Sequence, residues 1–180
     1  MSGIYIHIPF CKQACHYCDF HFSTNLKKKD EMVLALAKEI EMRKSEFQDE
    51  IVETIYFGGG TPSILQIADL KFLIDAVYKN YKVVENPEIT VEANPDDLTE
   101  NRIIELSNNK VNRLSIGIQS FFEDDLQLMN RAHNVEEAKK CLEIATHYFD
   151  NISIDLIYGV PEMSNEKWLQ NIETALSFGV

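Results

Sequence analysis

The chain has 180 residues, of which 45% are apolar and 26% are charged, and its formal net charge is −12. This composition is typical of a globular protein with a core of its own, and no apolar run is long enough to cross a bilayer. The negative charge argues against nucleic acid as a partner, because phosphates would be repelled by most of the surface.

Five strand patterns alternate with five helix patterns along the chain. Strands are predicted at residues 4–8, 52–57, 88–93, 113–118 and 152–157. Three of the helices have predicted N-caps, namely Asp30, Thr99 and Ser164, and a further helical stretch is predicted to begin at Asn134. The basic run at residues 27–29 is interpreted as a solvated loop.

Each predicted helix has an apolar stripe that should face the sheet. In chain order these positions are Val33, Leu36, Ala37 and Ile40; Leu70, Leu73, Ile74, Val77 and Tyr81; Ile103, Ile104 and Leu106; Ala138, Leu142 and Ala145; and Trp168, Leu169, Ile172, Ala175 and Leu176. Strict alternation of strands and helices predicts an α/β fold with a parallel sheet and right-handed crossovers, either open and doubly wound or a barrel.

Unusual polar or glycine-rich stretches follow every predicted strand. They are the cysteine-rich residues 9–25, the glycine run 58–61, Glu92 with Asn94, Gln119 and Asp155. Contributions from every strand end favour a β/α barrel, because an open sheet collects its ligand mainly at one switch point. Five units do not close a barrel. We therefore expect residues 1–180 to be one domain, the N-terminal part of a partial barrel, and we expect the given chain to stop before the last strand and before a C-terminal domain.

Three cysteines lie within eight residues directly after the first strand: Cys11, Cys15 and Cys18. The first residues lack the features of a signal peptide, so a reducing cytoplasm is expected and the cysteines suggest a metal site. Three thiolates can hold three irons of a [4Fe–4S] cluster and leave the fourth iron open for a ligand. The alternative is a structural zinc ion in a non-enzymatic barrel, with His7, His16 or His21 as fourth ligand.

This cysteine triplet resembles the signature of the radical S-adenosylmethionine (SAM) superfamily, which places it after the first strand of a partial (β/α)6 barrel. The resemblance implies that SAM binds the open iron and that an electron donor reduces the cluster. It also implies that Tyr17 lies near the adenine of SAM. The run Gly59, Gly60 and Thr61 resembles the family's GGGTP segment, which binds the amino group of SAM.

Longer phrases resemble one family within that superfamily, the oxygen-independent coproporphyrinogen III oxidases of heme metabolism: IYIHIPFC, FGGGTPS, VEANP, RLSIGIQSF, NRAHN and DLIYGVP. The resemblance implies that Glu92, Gln119 and Asp155 contact the ribose and methionine parts of SAM. Arg131 and Tyr5 match further cofactor contacts. Each of these polar residues has the alternative of a satisfied hydrogen-bonding role at a strand end.

The family has two branches, true dehydrogenases that convert two propionates of coproporphyrinogen III to vinyl groups and HemW-like heme chaperones that pass heme to an acceptor protein. The dehydrogenase motif has a fourth cysteine where this chain has Phe20, and dehydrogenases carry a long extension where only three residues precede Ile4. Both differences favour the chaperone branch, with heme as a possible ligand, while the decarboxylase stays open as the alternative and enzymatic activity is left undecided. Cys141 and His133 are interpreted as packing and hydrogen-bonding residues.

Overall fold

The computed structural model describes residues 2–46 and 50–180. Five parallel strands form one sheet in the order β1, β2, β3, β4, β5, and helices connect them. The strands and helices are β1 (Ser2–Ile8), α1 (Lys29–Met42), β2 (Val52–Gly59), α2 (Ile67–Asn80), β3 (Val83–Ala93), α3 (Glu100–Ser107), β4 (Arg113–Gln119), α4 (Glu123–Leu128), α5 (Val135–Tyr148), β5 (Ile152–Leu156) and α6 (Asn165–Ser177). The predicted α/β alternation is confirmed, and the described sheet is open, with β1 and β5 at its edges.

The two faces of the sheet have opposite chemistry because side chains alternate along each strand. The face under the helices is apolar, and its central residues are at most 2% exposed: Ile6, Ile8, Ile55, Phe57, Ile89, Val91, Leu114 and Ile116. The other face carries mostly polar side chains in matching register: Tyr5, Tyr56, Thr90, Glu92, Arg113, Ser115, Ser153 and Asp155. The core therefore lies between sheet and helices, and the polar face is free to form a site.

Two of the three predicted helix caps are confirmed, and Asn134 caps the helix that is predicted to begin there. The side chains of Thr99, Asn134 and Ser164 accept hydrogen bonds from backbone N–H groups in the first turns of α3, α5 and α6 at 3.3, 2.9 and 3.1 Å. Each bond satisfies a donor that the helix itself leaves free. These caps fix where the helices leave the loops at the carboxyl ends of the strands.

The third cap prediction, at Asp30, is wrong, and so is part of the loop prediction beside it. Helix α1 begins at Lys29, its N-cap Lys28 makes no side-chain bond, and Asp30 lies within the first turn. A negative charge is still favourable there because the helix dipole is positive at that end. Residues 26–28 form a short 3₁₀ helix, and Lys29 is half-buried in ion pairs with Asp30 (2.9 Å) and Asp69 (2.8 Å).

The predicted inward stripe of α6 is wrong at two positions. Leu169 and Leu176 are 55% and 65% exposed, whereas Asn171 and Ala175 are buried. The polar Asn171 takes a core-facing position, and this shifts the packed stripe away from the two leucines.

The short helix α4 is also absent from the predicted elements. Among the residues that the structure describes, no helix has both the length and the apolar character needed to span a bilayer.

Candidate functional site

A cavity of about 420 Å³ opens at the carboxyl ends of the strands. Its volume lies within the range of small-molecule and cofactor sites. Eleven of the twelve predicted site residues line it: Cys11, Cys15, Tyr17, Cys18, Gly59, Gly60, Thr61, Glu92, Gln119, Arg131 and Asp155. All five strand ends thus contribute to one site, as the sequence pattern predicts.

Tyr5 is the predicted site residue outside the cavity lining. It lies on the polar face of β1, where its hydroxyl is 3.0 Å from His7 Nδ1 and its ring stacks on Tyr56 with centroids 6.0 Å apart. Burial and then the negative charge of Glu92 raise the pKa of Tyr5. Tyr5 is therefore a neighbour of the cavity through Tyr56 and Glu92.

The three cysteines are free thiols in the loop formed by residues 9–25, which we call the cysteine loop. Burial raises the pKa of Cys11, and the neighbouring Cys18 and Cys15 raise it further, while a hydrogen bond to Thr61 and the charge of Arg131 lower it. In the described residues, no trio of His, Cys, Asp and Glu side chains converges on a single metal position. Thiolates of a cubane each bind a different iron, so they need not converge on one point.

Arg131 links the cysteine loop to the sheet. Its Nη1 lies 3.4 Å from Cys15 Sγ and 3.1 Å from the hydroxyl of Tyr17. Its Nη2 donates to Asn94 Oδ1 and to the carbonyl of Gly117, both at 2.8 Å. Its Nε is buried and has no hydrogen-bond partner among the residues that the structure describes. The guanidinium therefore places a positive charge between the thiols and the strand ends.

Tyr17 packs beside this guanidinium. Partial burial raises the pKa of Tyr17 to about 12, against the opposing charge of Arg131. The phenol is therefore neutral at any ordinary pH. A neutral aromatic ring at the cavity edge offers a surface on which a planar group can stack.

The glycine loop, residues 58–62, needs glycine because it passes directly over the start of the cysteine loop. A Cβ on Gly60 would lie 2.6 Å from the carbonyl oxygen of Phe10 and 2.9 Å from that of Ile8. Backbone bonds join the two segments, from Gly60 N to Ile8 O (2.9 Å) and from Thr61 N to Phe10 O (2.7 Å). Gly59 has a φ of 114°, which side-chain-bearing residues rarely adopt.

Glu92 is the acidic residue at the end of β3. Its Oε1 accepts a hydrogen bond from Tyr56 OH at 2.8 Å, and its Oε2 accepts one from Gly59 N at 3.0 Å. Burial and then Glu92 raise the pKa of Tyr56 to about 12, so this phenol stays a donor. Glu92 has the satisfied bonds that its alternative interpretation predicts, and its oxygens still have free lone pairs toward the cavity.

The remaining strand ends carry Gln119 and Asp155. Gln119 is buried with a φ of 69°, in the left-handed region that is unusual for such a residue. Burial raises the pKa of Asp155, and the positive charges of Arg131 and Arg113 oppose this. Arg113 bonds to Thr90 Oγ1 (3.3 Å) and Ser153 Oγ (2.9 Å) below the cavity.

Sequence reasoning missed Gln13, Asn130 and Arg113. Asn130 has a φ of 54° after α4, and an asparagine that follows a helix is the signal that could have predicted this helix end.

His133 is buried with Nε2 3.1 Å from the carbonyl of Ile118, and Cys141 packs in the core on α5. Both side chains therefore have the packing and hydrogen-bonding environments that the sequence predicts.

Comparison with known proteins gives relatives over most of the chain. A heme chaperone HemW from Escherichia coli (strain K12) is 37% identical over 178 residues, and one from Bacillus subtilis (strain 168) is 38% identical over 180 residues. The matches cover 97% and 98% of this chain but 47% and 48% of those proteins. The chain therefore spans about half the length of the curated relatives it matches.

Among solved structures, coproporphyrinogen III oxidase (HemN) from E. coli, described as a radical SAM enzyme, superposes with a TM-score of 0.87 at 30% identity. That match covers 98% of this chain and 41% of the oxidase. The methyltransferase TsrM from Kitasatospora setae shares the fold alone, with a TM-score of 0.68 at 12% identity over 99% of this chain and 35% of that one. The profile of the family described as "Radical SAM superfamily" matches residues 5–175. The chain therefore belongs to the radical SAM superfamily, and this membership implies a [4Fe–4S] cluster and SAM as its cofactors.

Proposed function

We propose that this chain is the cofactor-binding part of a HemW-type heme chaperone. Cys11, Cys15 and Cys18 hold the cluster, and the surrounding strand ends hold SAM. One observation carries the proposal, namely that the thiols, the glycine loop, a buried guanidinium and the acidic strand ends line one cavity. The need to keep three thiols reduced suits the cytoplasm.

The chemistry of the thiol residues fits a cluster with one open iron. Three thiols are free, and Nη1 of Arg131 lies 3.4 Å from Cys15 Sγ, which places a positive charge beside the position of a negatively charged cluster. No fourth cysteine stands near them, because Cys141 is in the core on α5. A cluster with three cysteine ligands leaves one iron for an exogenous ligand.

The cavity also fits an amino acid group bound beside that iron. The buried Nε of Arg131, which is unpartnered within residues 2–46 and 50–180, can donate to the carboxylate of SAM. The backbone of Gly59, Gly60 and Thr61, together with the carboxylate of Glu92, can bind the amino group of SAM. Tyr17 offers its ring to the adenine, and Gln119 and Asp155 lie at the strand ends that would meet the ribose and methionine parts.

When bound and reduced by an electron donor, the cluster supplies the electron that cleaves SAM, and the protein supplies position and charge. Arg131 holds positive charge beside Cys15, and Glu92 fixes the N–H of Gly59 and the hydroxyl of Tyr56. Tyr5 supports this arrangement through its stacked contact with Tyr56.

The chaperone role is favoured over decarboxylation by the similarity to HemW proteins and by Phe20. This phenylalanine stands where the dehydrogenase motif has a cysteine, and it is 74% exposed at the cavity edge. Heme contacts and the surface for an acceptor protein would lie largely in sequence beyond these 180 residues. The second candidate is the oxidative decarboxylation of coproporphyrinogen III, which is favoured by the 30% identity and the TM-score of 0.87 to the oxidase structure.

The full-length protein, purified and reconstituted without oxygen, separates these functions. A heme chaperone should bind heme in a spectroscopic titration, release it to an acceptor and leave coproporphyrinogen III unchanged in the presence of SAM and a reductant. Conversion of coproporphyrinogen to protoporphyrinogen would establish the second candidate instead. Elemental analysis that finds one zinc ion and neither iron nor sulfide would contradict both and support a zinc-stabilised barrel.

A further inference from the structure

The cysteine loop is irregular, yet every residue between its three cysteines is bonded to a distant part of the chain. Lys12 pairs with Asp96 (3.2 Å) and with Asp97, and the hydroxyl of Tyr17 meets Arg131. The other three residues, which are Gln13, Ala14 and His16, all bond to residues 128–130. One short segment, residues 128–131, therefore contacts most of the residues between Cys11 and Cys18, and we call it the dock.

The dock is the end of helix α4. Arg131 N donates to Leu126 O at 2.9 Å and Asn130 N to Gln127 O at 3.0 Å, the two bonds of a Schellman motif. Asn130 takes the left-handed position of this motif, which asparagine tolerates better than most residues. The helix then leaves its last carbonyl groups without partners of its own, and these carry the negative end of the helix dipole.

The cysteine loop uses these free carbonyl groups. Leu128 O accepts from His16 Nδ1 and Met129 O from His16 N, both at 3.0 Å. Asn130 O accepts from Gln13 Nε2 at 2.7 Å. In return, Asn130 Nδ2 donates to the carbonyl of Ala14 at 2.8 Å. Four bonds thus join two segments that lie more than 100 residues apart in sequence.

We propose that the dock shapes the cysteine loop for its cluster, with Asn130 as the central positioning residue and with Gln13 and His16 as further positioning residues. The inference rests on the proposed cluster function. His16 Nδ1 donates to the carbonyl of Leu128, and this bond holds the imidazole ring against the dock. Arg131 follows Asn130 directly and reaches Cys15 and Tyr17, so a shift of the dock would move the guanidinium together with the loop.

The substitution Asn130→Asp tests this role in the anaerobically reconstituted full-length protein. Aspartate keeps the size of asparagine and tolerates the left-handed conformation, but it faces the carbonyl of Ala14 with an acceptor instead of a donor. We expect iron to be lost to a chelator roughly 10-fold faster, in line with the effect of outer-shell partners at metal sites. We also expect the EPR signal of the reduced cluster to broaden, a change that a general loss of stability would not produce.

Asn109→Ala is the matched control. Asn109 Nδ2 donates to the carbonyl of Glu105 at 2.8 Å, the same kind of bond at the end of α3 and away from the cavity. Iron loss from this variant should match that of the wild type.

Gln13→Ala tests the dock from the other side and cannot unfold the core, because Gln13 lies in the loop. It should also accelerate iron loss, and the double variant should fall short of the sum of the two effects since both act on one contact. If Asn130→Asp fails to fold, Gln13→Ala decides alone. Wild-type rates of iron loss in every folded variant would overturn the positioning role of the dock while leaving the cluster proposal intact. A wild-type protein that takes up zinc and no iron would overturn both.

Discussion

The strand ends and the cysteine loop line the same cavity, but different forces hold them in place. The sheet register places Glu92 opposite Ser115 and Gly117 opposite Asp155, so the strand ends are fixed by the ladder that builds the core. The part of the cysteine loop between Cys11 and Cys18 has no such ladder and is held by single bonds to residues 96–97 and 128–131. The chemistry at strand ends therefore follows from local pattern, whereas the shape of the loop follows from distant residues.

Loss of one thiol from the loop should have the largest effect. We expect Cys15→Ser to lower the iron content from about four atoms per chain to below about one, because the site supplies three thiolates and the cubane needs all of them. Iron and sulfide analysis after anaerobic reconstitution measures this. Cys141→Ser is the control, because its thiol lies in the core on α5, and an equal loss of iron in both variants would contradict the assignment.

A change at a strand end should leave the cluster and weaken SAM. Glu92→Gln removes a charge that accepts bonds from Tyr56 and Gly59. Loss of a charge-assisted bond costs about 2 kcal/mol, or roughly a 30-fold higher Kd for SAM. Equilibrium dialysis with the reconstituted protein measures this Kd.

Glu88→Gln is the matched control for Glu92→Gln. Glu88 lies on the same face of β3, four residues earlier, and its carboxylate accepts two long bonds, from Thr90 Oγ1 and Asn151 Nδ2, each at 3.4 Å. Its SAM affinity should equal that of the wild type. Equal weakening in both variants would mean that charge on this face matters and not the contact at Glu92.

The turn after β4 joins the two regions, because it leads from Gln119 to α4 and the dock. Asn171 on α6 holds this turn, since its Oδ1 accepts from Phe121 N at 2.7 Å and its Nδ2 donates to Ser120 Oγ at 3.3 Å. Asn171→Ala should lower the free energy of unfolding by about 1–3 kcal/mol, because buried donors lose their partner. Chemical denaturation measures this.

Asn80→Ala offers the comparison for that stability loss. Asn80 is half-buried, and its Nδ2 donates to Ala76 O at 2.8 Å within one helix end. Its loss should stay within about 0.5 kcal/mol, as for most substitutions away from the core. A similar loss in both variants would contradict the special position of Asn171.

His133 gives a pH dependence to the same part of the molecule. Burial and then Arg131 lower the pKa of His133 from 6.5 to about 4, while Asp96 and Glu123 oppose this. Between these pH values the unfolded chain binds a proton that the folded chain does not, so the free energy of unfolding falls as the pH falls. At pH 5 the fall relative to pH 7 should be about 2 kcal/mol from this group.

His133→Gln should remove this part of the pH dependence, because glutamine keeps a donor toward Ile118 O and does not titrate. Denaturation of both proteins at pH 5 and pH 7 provides the measurement. An unchanged difference between the two pH values would mean that other groups cause it.

Much of the fold is predictable because apolar runs and caps are local. The strand core of β2 and the cap at Asn134 follow from residue type and spacing alone. The errors occur where tertiary contacts decide. Helix α1 begins at Lys29, one residue before the predicted cap Asp30. On α6 Leu169 is exposed and Asn171 is buried, because the side chain of Asn171 bonds to a turn 50 residues away.

The site is predictable in its residues and less so in its arrangement. The motifs around Cys11 and Gly59 indicate the cavity because each follows a strand directly. Tyr5 lies outside the lining, since it stands three residues before the end of β1, beside His7 on the same face of the sheet. Asn130 lies in the phrase NRAHN, but that phrase does not reveal its positioning role, because the role depends on the bond to Ala14 and on the end of a helix with only six residues.

The central claim is that three thiolates hold a cubane whose open iron meets SAM. EPR spectroscopy of the reduced, anaerobically reconstituted protein with and without SAM tests it most directly. We expect a cluster signal whose g values change when SAM is added and do not change with methylthioadenosine, which lacks the amino acid group. A signal that is indifferent to SAM, or protein that carries zinc and no iron, would contradict it.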